Sequence, residues 1–182
     1  AACGFENWNL RPQAIAFLLG AVYLTLIYSY RHKPNLSNWW LLVFPLAMVV
    51  WVNSHGSFPL GLVLLGLWLL DTIWERLRGR EAALIAAPVT ALVLSALAMA
   101  IDNNFQGNLL AYLRAMANNP VVQRLPEWAP ASFATKDGVA FFVVLGLSTI
   151  ALALSWRRLR LFEVFCFIFF AALASKTGRA IV

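Results

Sequence analysis

Charge is scarce in this sequence: Asp, Glu, Lys and Arg together make up 12% of its 182 residues, about half the share found in an ordinary soluble domain. So thin a solvating surface argues against a chain folded for water. Cysteine is scarcer still. Cys3 and Cys166 stand near opposite ends of the chain, which excludes a disulfide framework and a CxxC metal spacing. Paired carboxylates, HExxH, GxSxG, a Walker loop and a dinucleotide fingerprint are all missing. No internal repeat or low-complexity tract appears, nor the paired broken helices of an inverted-repeat transporter.

What is present is apolar. Hydrophobic residues make up 62% and the mean hydropathy is +0.74. They fall in blocks close to the roughly 20 residues that cross a hydrocarbon core of about 30 Å as a helix. The blocks lack the alternation of a barrel strand, so helices are the remaining way to satisfy the backbone in lipid. The expected fold is an all-α polytopic transmembrane bundle of about six spans: 12–30, 39–52, 58–74, 82–101, 138–156 and 161–175. The second is short unless Asn53 and its neighbours extend it, and Pro88 is expected to kink the fourth. The whole, 1–182, reads as a single transmembrane domain. It opens in a polar stretch without Met or a signal peptide and stops just after an apolar block. A fragment of a longer polytopic protein is therefore expected.

The net charge of +6 does not indicate nucleic acid, because the cations sit in short clusters between apolar blocks and form no basic face with interleaved aromatics. Arg31, Lys33, Arg76, Arg78, Arg80, Arg157, Arg158 and Arg160 fall in three short turns on one side. Arg11, Arg114, Arg124, Lys136, Lys176 and Arg179 are spread over longer segments on the other. The positive-inside rule makes the first side cytoplasmic, so the 53–57 hairpin, the 102–137 connection and both chain ends face outward. Trp39, Trp40, Trp51, Trp74 and Trp156 lie near span ends, where an indole bridges lipid and water. Within 102–137, Leu109, Leu110, Leu113 and Met116 share one helical face, which reads as an amphipathic surface helix or as a plain loop helix.

Polar groups near membrane depth need a reason. Trp51, Asn53, His55 and Gly56 in WVNSHGSFPLG form the strongest constellation. An imidazole there can donate, accept and titrate near neutrality, and Gly56 lets the backbone turn or approach a ligand. Taken alone, the residues favour a polar hairpin whose histidine caps a helix. Arg11, at the mouth of the first span, is either a phosphate clamp or a headgroup anchor, the anchor being favoured. Glu127 beside Trp128, between two prolines, suits sugar binding, proton transfer or a rigid turn. Lys176 and Arg179 read as boundary anchors. Glu163 is expected to pair with Arg160 three residues earlier, and Asp71 to snorkel or find a neighbouring partner.

The order LRPQ, WVNSHGSF, DNNFQGNLL and PEW resembles uncharacterised bacterial membrane proteins grouped with the GT-C class of glycosyltransferases, the class of protein mannosyltransferases and oligosaccharyltransferases. The resemblance covers most of this chain but only a middle portion of such a protein. Ser57 stands where a second glycine is expected, and Asn103, Asn104, Phe105, Gln106 and Gly107 replace an Asn-Pro-aromatic-Gly turn. The resemblance implies transfer of a sugar from a polyprenyl-phosphate donor to an acceptor on the outer face of the bacterial cytoplasmic membrane. It implies that Arg11 or Arg179 binds the lipid phosphate, that His55 and Asn53 with Gly56 orient donor or acceptor, and that Glu127 and Trp128 contact the sugar. The catalytic acidic residue is expected in an outer loop upstream of this chain. No cofactor is expected within these residues, and a divalent metal is left to the full-length protein. The bilayer, the lipid-linked donor and its acceptor are the expected partners. The competing readings are a non-enzymatic membrane subunit and a transporter fragment. The latter is weakened by mid-span positions that are mostly Leu, Val, Ala and Phe.

Overall fold

The computed structural model describes residues 12–33, 37–79, 84–101, 114 and 131–176. These residues contain six α-helices, three-residue and five-residue 3-10 turns, and no strand. The chain divides into two compact units, one over Leu10–Arg114 and one formed by Ala1–Asn9 with Ala115–Val182.

The first unit holds four helices: α1 (Pro12–His32), α2 (Val43–Ser54), α3 (Pro59–Leu77) and α4 (Ala86–Ala98). Proline opens α1 and α3 at positions where its missing N–H has no helical partner to lose. The α3 helix ends on Gly79, whose φ of 77° is the left-handed conformation glycine adopts without steric cost. A 3-10 turn, Asn38–Leu42, leads into α2, and the two together run over Asn38–Ser54. The expected second span therefore continues through Asn53 and Ser54.

Proline placement explains two further departures. Pro88 does not kink a fourth helix running from residue 82; α4 begins at Ala86, which puts Pro88 in the first turn. Pro45 likewise falls in the first turn of α2, directly after the 3-10 turn. A proline in a first turn removes no i→i−4 bond that the helix needs.

The four helices pack with α2 against α1 and α4, and α3 against α1 and α4. On α1, Ala16, Leu19, Tyr23, Leu26 and Ile27 turn inward, and Phe17, Leu18, Leu24 and Tyr28 stay exposed. At the centre, the Tyr23 hydroxyl donates to the Phe44 carbonyl at 2.8 Å and lies 3.4 Å from Ser95 Oγ, tying α1 to α2 and α4. The Tyr23 ring meets Phe44 and Trp51 edge-on, with centroids 5.0 and 5.6 Å away. Gly61 makes room for them: a Cβ there would stand 2.9 Å from Met48, 3.2 Å from Trp51 and 3.3 Å from Tyr23.

The second unit carries α5 (Lys136–Leu154), a 3-10 turn at Trp156–Arg158 and α6 (Leu161–Lys176). Thr135 caps α5 by accepting the Gly138 N–H at 3.1 Å, so the helix starts two residues before the apolar block does. A side chain at Gly138 would strike the Ser132 carbonyl, which folds back over the cap. Glu163 accepts the Arg160 backbone N–H at 2.9 Å, reaching back to the helix start as a capping-box glutamate does. The expected local contact between these two residues thus runs through the Arg160 main chain.

Among the described helices, one, α1, is long and apolar enough to cross a membrane. Asn38–Ser54, Ala86–Ala98 and Gly138–Leu154 are shorter apolar helices.

Candidate functional site

Polar side chains in the first unit gather at its two ends. At one end the chain turns from α2 into α3. His55 follows the last residue of α2 in an extended conformation (φ −157°, ψ 138°), and its N–H closes the helix on the Trp51 carbonyl at 3.0 Å. Gly56 is exposed at the tip of the turn. Phe58 is fully buried beneath it and anchors the entry to α3.

A short hydrogen-bond chain fixes the imidazole. The Trp51 indole N–H donates to Ser57 Oγ at 3.1 Å. Ser57 Oγ lies 2.8 Å from His55 Nδ1, and the Ser57 backbone N–H donates to the same nitrogen at 3.1 Å. A backbone N–H can only donate, so Nδ1 accepts and the ring's proton resides on Nε2. Since Ser57 Oγ takes the indole hydrogen, its own hydrogen is directed to Nδ1. His55 is therefore a helix-terminating residue by its backbone, as residue physics favoured, and an oriented Nε2–H imidazole by its side chain.

Asn53 is bound on both sides. Its amide nitrogen donates to the Val49 carbonyl and to the Ile101 carbonyl, each at 2.8 Å. The first bond is a helical back-bond; the second fastens the chain just beyond α4 to the end of α2. The hairpin and the start of the 102–137 connection consequently lie at one end of the unit.

The opposite end is built on charge. Arg31, at the end of α1, meets Asp71 of α3 with Nε 3.1 Å from Oδ2, and the two side chains are 4% and 2% exposed. Glu75, one turn later, is also buried. Tyr30 stacks obliquely near Trp68 and donates to the Ser37 carbonyl at 3.0 Å. Asp71 has thus found a partner rather than snorkelling, and Arg31 is a buried ion-pair member in addition to its place in a basic cluster. Arg76 and Arg78 follow at the same end of α3, with the Arg78 guanidinium 4.6 Å from the centre of the Trp74 ring.

The tryptophan belt needs one correction. Trp39, Trp40, Trp74 and Trp156 are exposed, but Trp51 is 2% exposed. Its ring is enclosed by Tyr23, Gly20 and Gly61, and its N–H is committed to Ser57. Ser57 itself was legible in the sequence only as a departure from an expected glycine; an indole six residues before a serine gave no signal of their bond.

Arg11, Glu127, Trp128 and Arg179 lie outside the described residues, as do Arg80 and, Arg114 apart, the 107–120 segment. Of the expected site residues, the structure therefore brings together Asn53, His55 and Gly56, and adds Ser57 and Trp51 to them. Among the described residues no cluster of three or more His, Cys, Asp or Glu side chains could hold a metal ion. No protein-family model, curated protein or solved structure matches this chain.

Proposed function

We propose that the chain is part of a polytopic membrane glycosyltransferase of GT-C type, moving a sugar from a polyprenyl-phosphate donor to an acceptor on the outer face. The observation that carries this reading is the segregation of polar groups in the first unit. A hydrogen-bonded histidine hairpin occupies one end of an apolar bundle, and the arginine-bearing turns occupy the other. A bilayer imposes that separation, because cations are retained on the cytoplasmic side and chemistry on lipid-linked sugars takes place at a polar boundary.

Membrane insertion of all six helices draws support from their surfaces. Only 22% of the apolar window of α1 is buried, far less than the core helix of a water-soluble domain would hide. On α5, Val139, Val143, Leu147, Ile150 and Leu154 form an exposed apolar stripe at helical spacing. Continuous apolar surface of this kind suits lipid and would drive association in water. In this reading His55 and Asn53 border the donor or acceptor, and Gly56 allows close approach. Arg11 or Arg179 holds the lipid phosphate, Glu127 and Trp128 contact the sugar, and an acidic residue upstream supplies the base.

A non-enzymatic membrane subunit is the second reading, and the engagement of Asn53 and Trp51 in packing favours it. Two measurements separate them. Full-length protein in proteoliposomes, given a radiolabelled polyprenyl-phosphate sugar, should transfer label, and His55→Ala and Arg11→Ala should each reduce transfer at least tenfold. Wild-type transfer by both variants would refute the site. Cysteine placed at position 55 in a Cys3→Ser, Cys166→Ser background should react with an impermeant maleimide from outside the cell. Labelling only from the cytosol would overturn the topology.

A further inference from the structure

The two histidines of this chain are held in opposite protonation patterns. His32 Nδ1 lies 2.9 Å from the Tyr28 carbonyl; a carbonyl can only accept, so this Nδ1 carries a proton. His55 Nδ1 faces the Ser57 backbone N–H at 3.1 Å and the Ser57 hydroxyl at 2.8 Å. That nitrogen cannot also carry a proton without setting one N–H against another.

We infer that Ser57 is a positioning residue that holds His55 as a neutral Nε2–H donor, and that the acceptor it serves is a phosphate oxygen of the polyprenyl-phosphate. The inference deepens the function proposed above and rests on it for the identity of the ligand. Its chemical content is a division of roles. With Nδ1 occupied by two donors, His55 is not the base of a transfer reaction. It offers one directed hydrogen bond from Nε2 to an anionic oxygen, the strong, charge-assisted kind. Trp51 completes the arrangement: its N–H occupies a lone pair of Ser57 Oγ, which points the hydroxyl hydrogen at the ring. The serine that replaces an expected glycine thereby acquires a task that glycine could not perform.

The test uses the full-length protein with His32→Gln, carrying 15N-labelled histidine and tryptophan, in lipid nanodiscs and read by solid-state NMR. The expected spectrum is one neutral imidazole protonated on Nε2. Ser57→Ala should move the Nδ1 resonance and the Trp51 indole resonance together, and Ser57→Thr, which keeps the hydroxyl, should restore both. A proton on Nδ1, a cationic ring at neutral pH, or a Ser57→Ala spectrum identical to its parent overturns the inference. Restoration by threonine separates loss of the hydroxyl from collapse of the hairpin.

A short-chain polyprenyl phosphate should then shift the Nε2 resonance, and inorganic phosphate at the same concentration should not. An equal shift with inorganic phosphate overturns the lipid assignment. If sugar transfer proceeds in the same preparation without any Nε2 shift, the donor role fails and the transferase reading survives. A shift without transfer supports the donor role and removes the transferase reading. In the transfer assay, His55→Gln, which keeps an N–H donor but has no basic nitrogen, should retain several-fold more activity than His55→Ala. Equal loss in both overturns the donor role.

Discussion

Removing the Arg31–Asp71 pair one member at a time should damage the protein far more than removing both. The atoms are 3.1 Å apart and the side chains are 4% and 2% exposed, so solvent screening is minimal. At that separation the attraction is about 5 kcal/mol for an effective dielectric of about 20. Desolvating the two ions costs several kcal/mol each, so the intact pair contributes little net stability, but loss of one partner strands a buried charge at a cost of about 3–5 kcal/mol. Arg31→Met would leave Asp71 and Glu75, both buried, one turn apart on the same face of α3. Asp71→Leu would strand the guanidinium. The double variant Arg31→Met, Asp71→Leu replaces both charges with apolar groups of similar reach and should return to within about 1 kcal/mol of wild type. Reversible unfolding in mixed micelles by titration with dodecyl sulfate, followed by tryptophan fluorescence, reads the three variants against the parent. The expected coupling between the sites is at least about 3 kcal/mol. Single variants that each cost under about 1 kcal/mol, or a double variant that costs their sum, would show that the pair is solvated and that the burial argument fails.

The same unfolding assay checks the tight packing around Gly61. Gly61→Ala places a methyl group 2.9 Å from Met48 and near two aromatic rings, and should destabilise by about 1–3 kcal/mol. Gly66→Ala, with no heavy atom within 4 Å of the added Cβ, should be neutral or stabilising by up to about 1 kcal/mol. Tyr23→Phe leaves the Phe44 carbonyl and Ser95 hydroxyl without the phenol they share, and should cost about 1–3 kcal/mol; no loss would show that water or a local shift replaces it. Thr135→Ala removes the cap on α5 and should cost about 1 kcal/mol, seen as faster amide exchange confined to the first turn of that helix.

The helices and their order were written in the sequence because apolar blocks separated by basic or proline-containing turns leave the backbone few alternatives. Helix starts were less legible. Pro88 signalled a break, but whether it stands inside a helix or in its first turn depends on where the preceding residues stop bonding. Thr135 and Glu163 show the same limitation, since each sets a helix boundary through one side-chain contact to the backbone.

Sequence alone determined the all-helical character, the clustering of cations in short turns and the hairpin WVNSHGSF as the most polar interruption of the apolar pattern. These are local properties, set by composition and by which neighbours a residue has along the chain. Tertiary structure decided that Trp51 is buried instead of lying in an interfacial belt, that Arg31 reaches Asp71 forty residues away, and that Asn53 holds Ile101. It also decided on which nitrogen His55 carries its proton. Each of these outcomes depends on which side chain stands within about 3 Å of another once the helices have packed, and hydrogen bonds and buried charges are decided at that range.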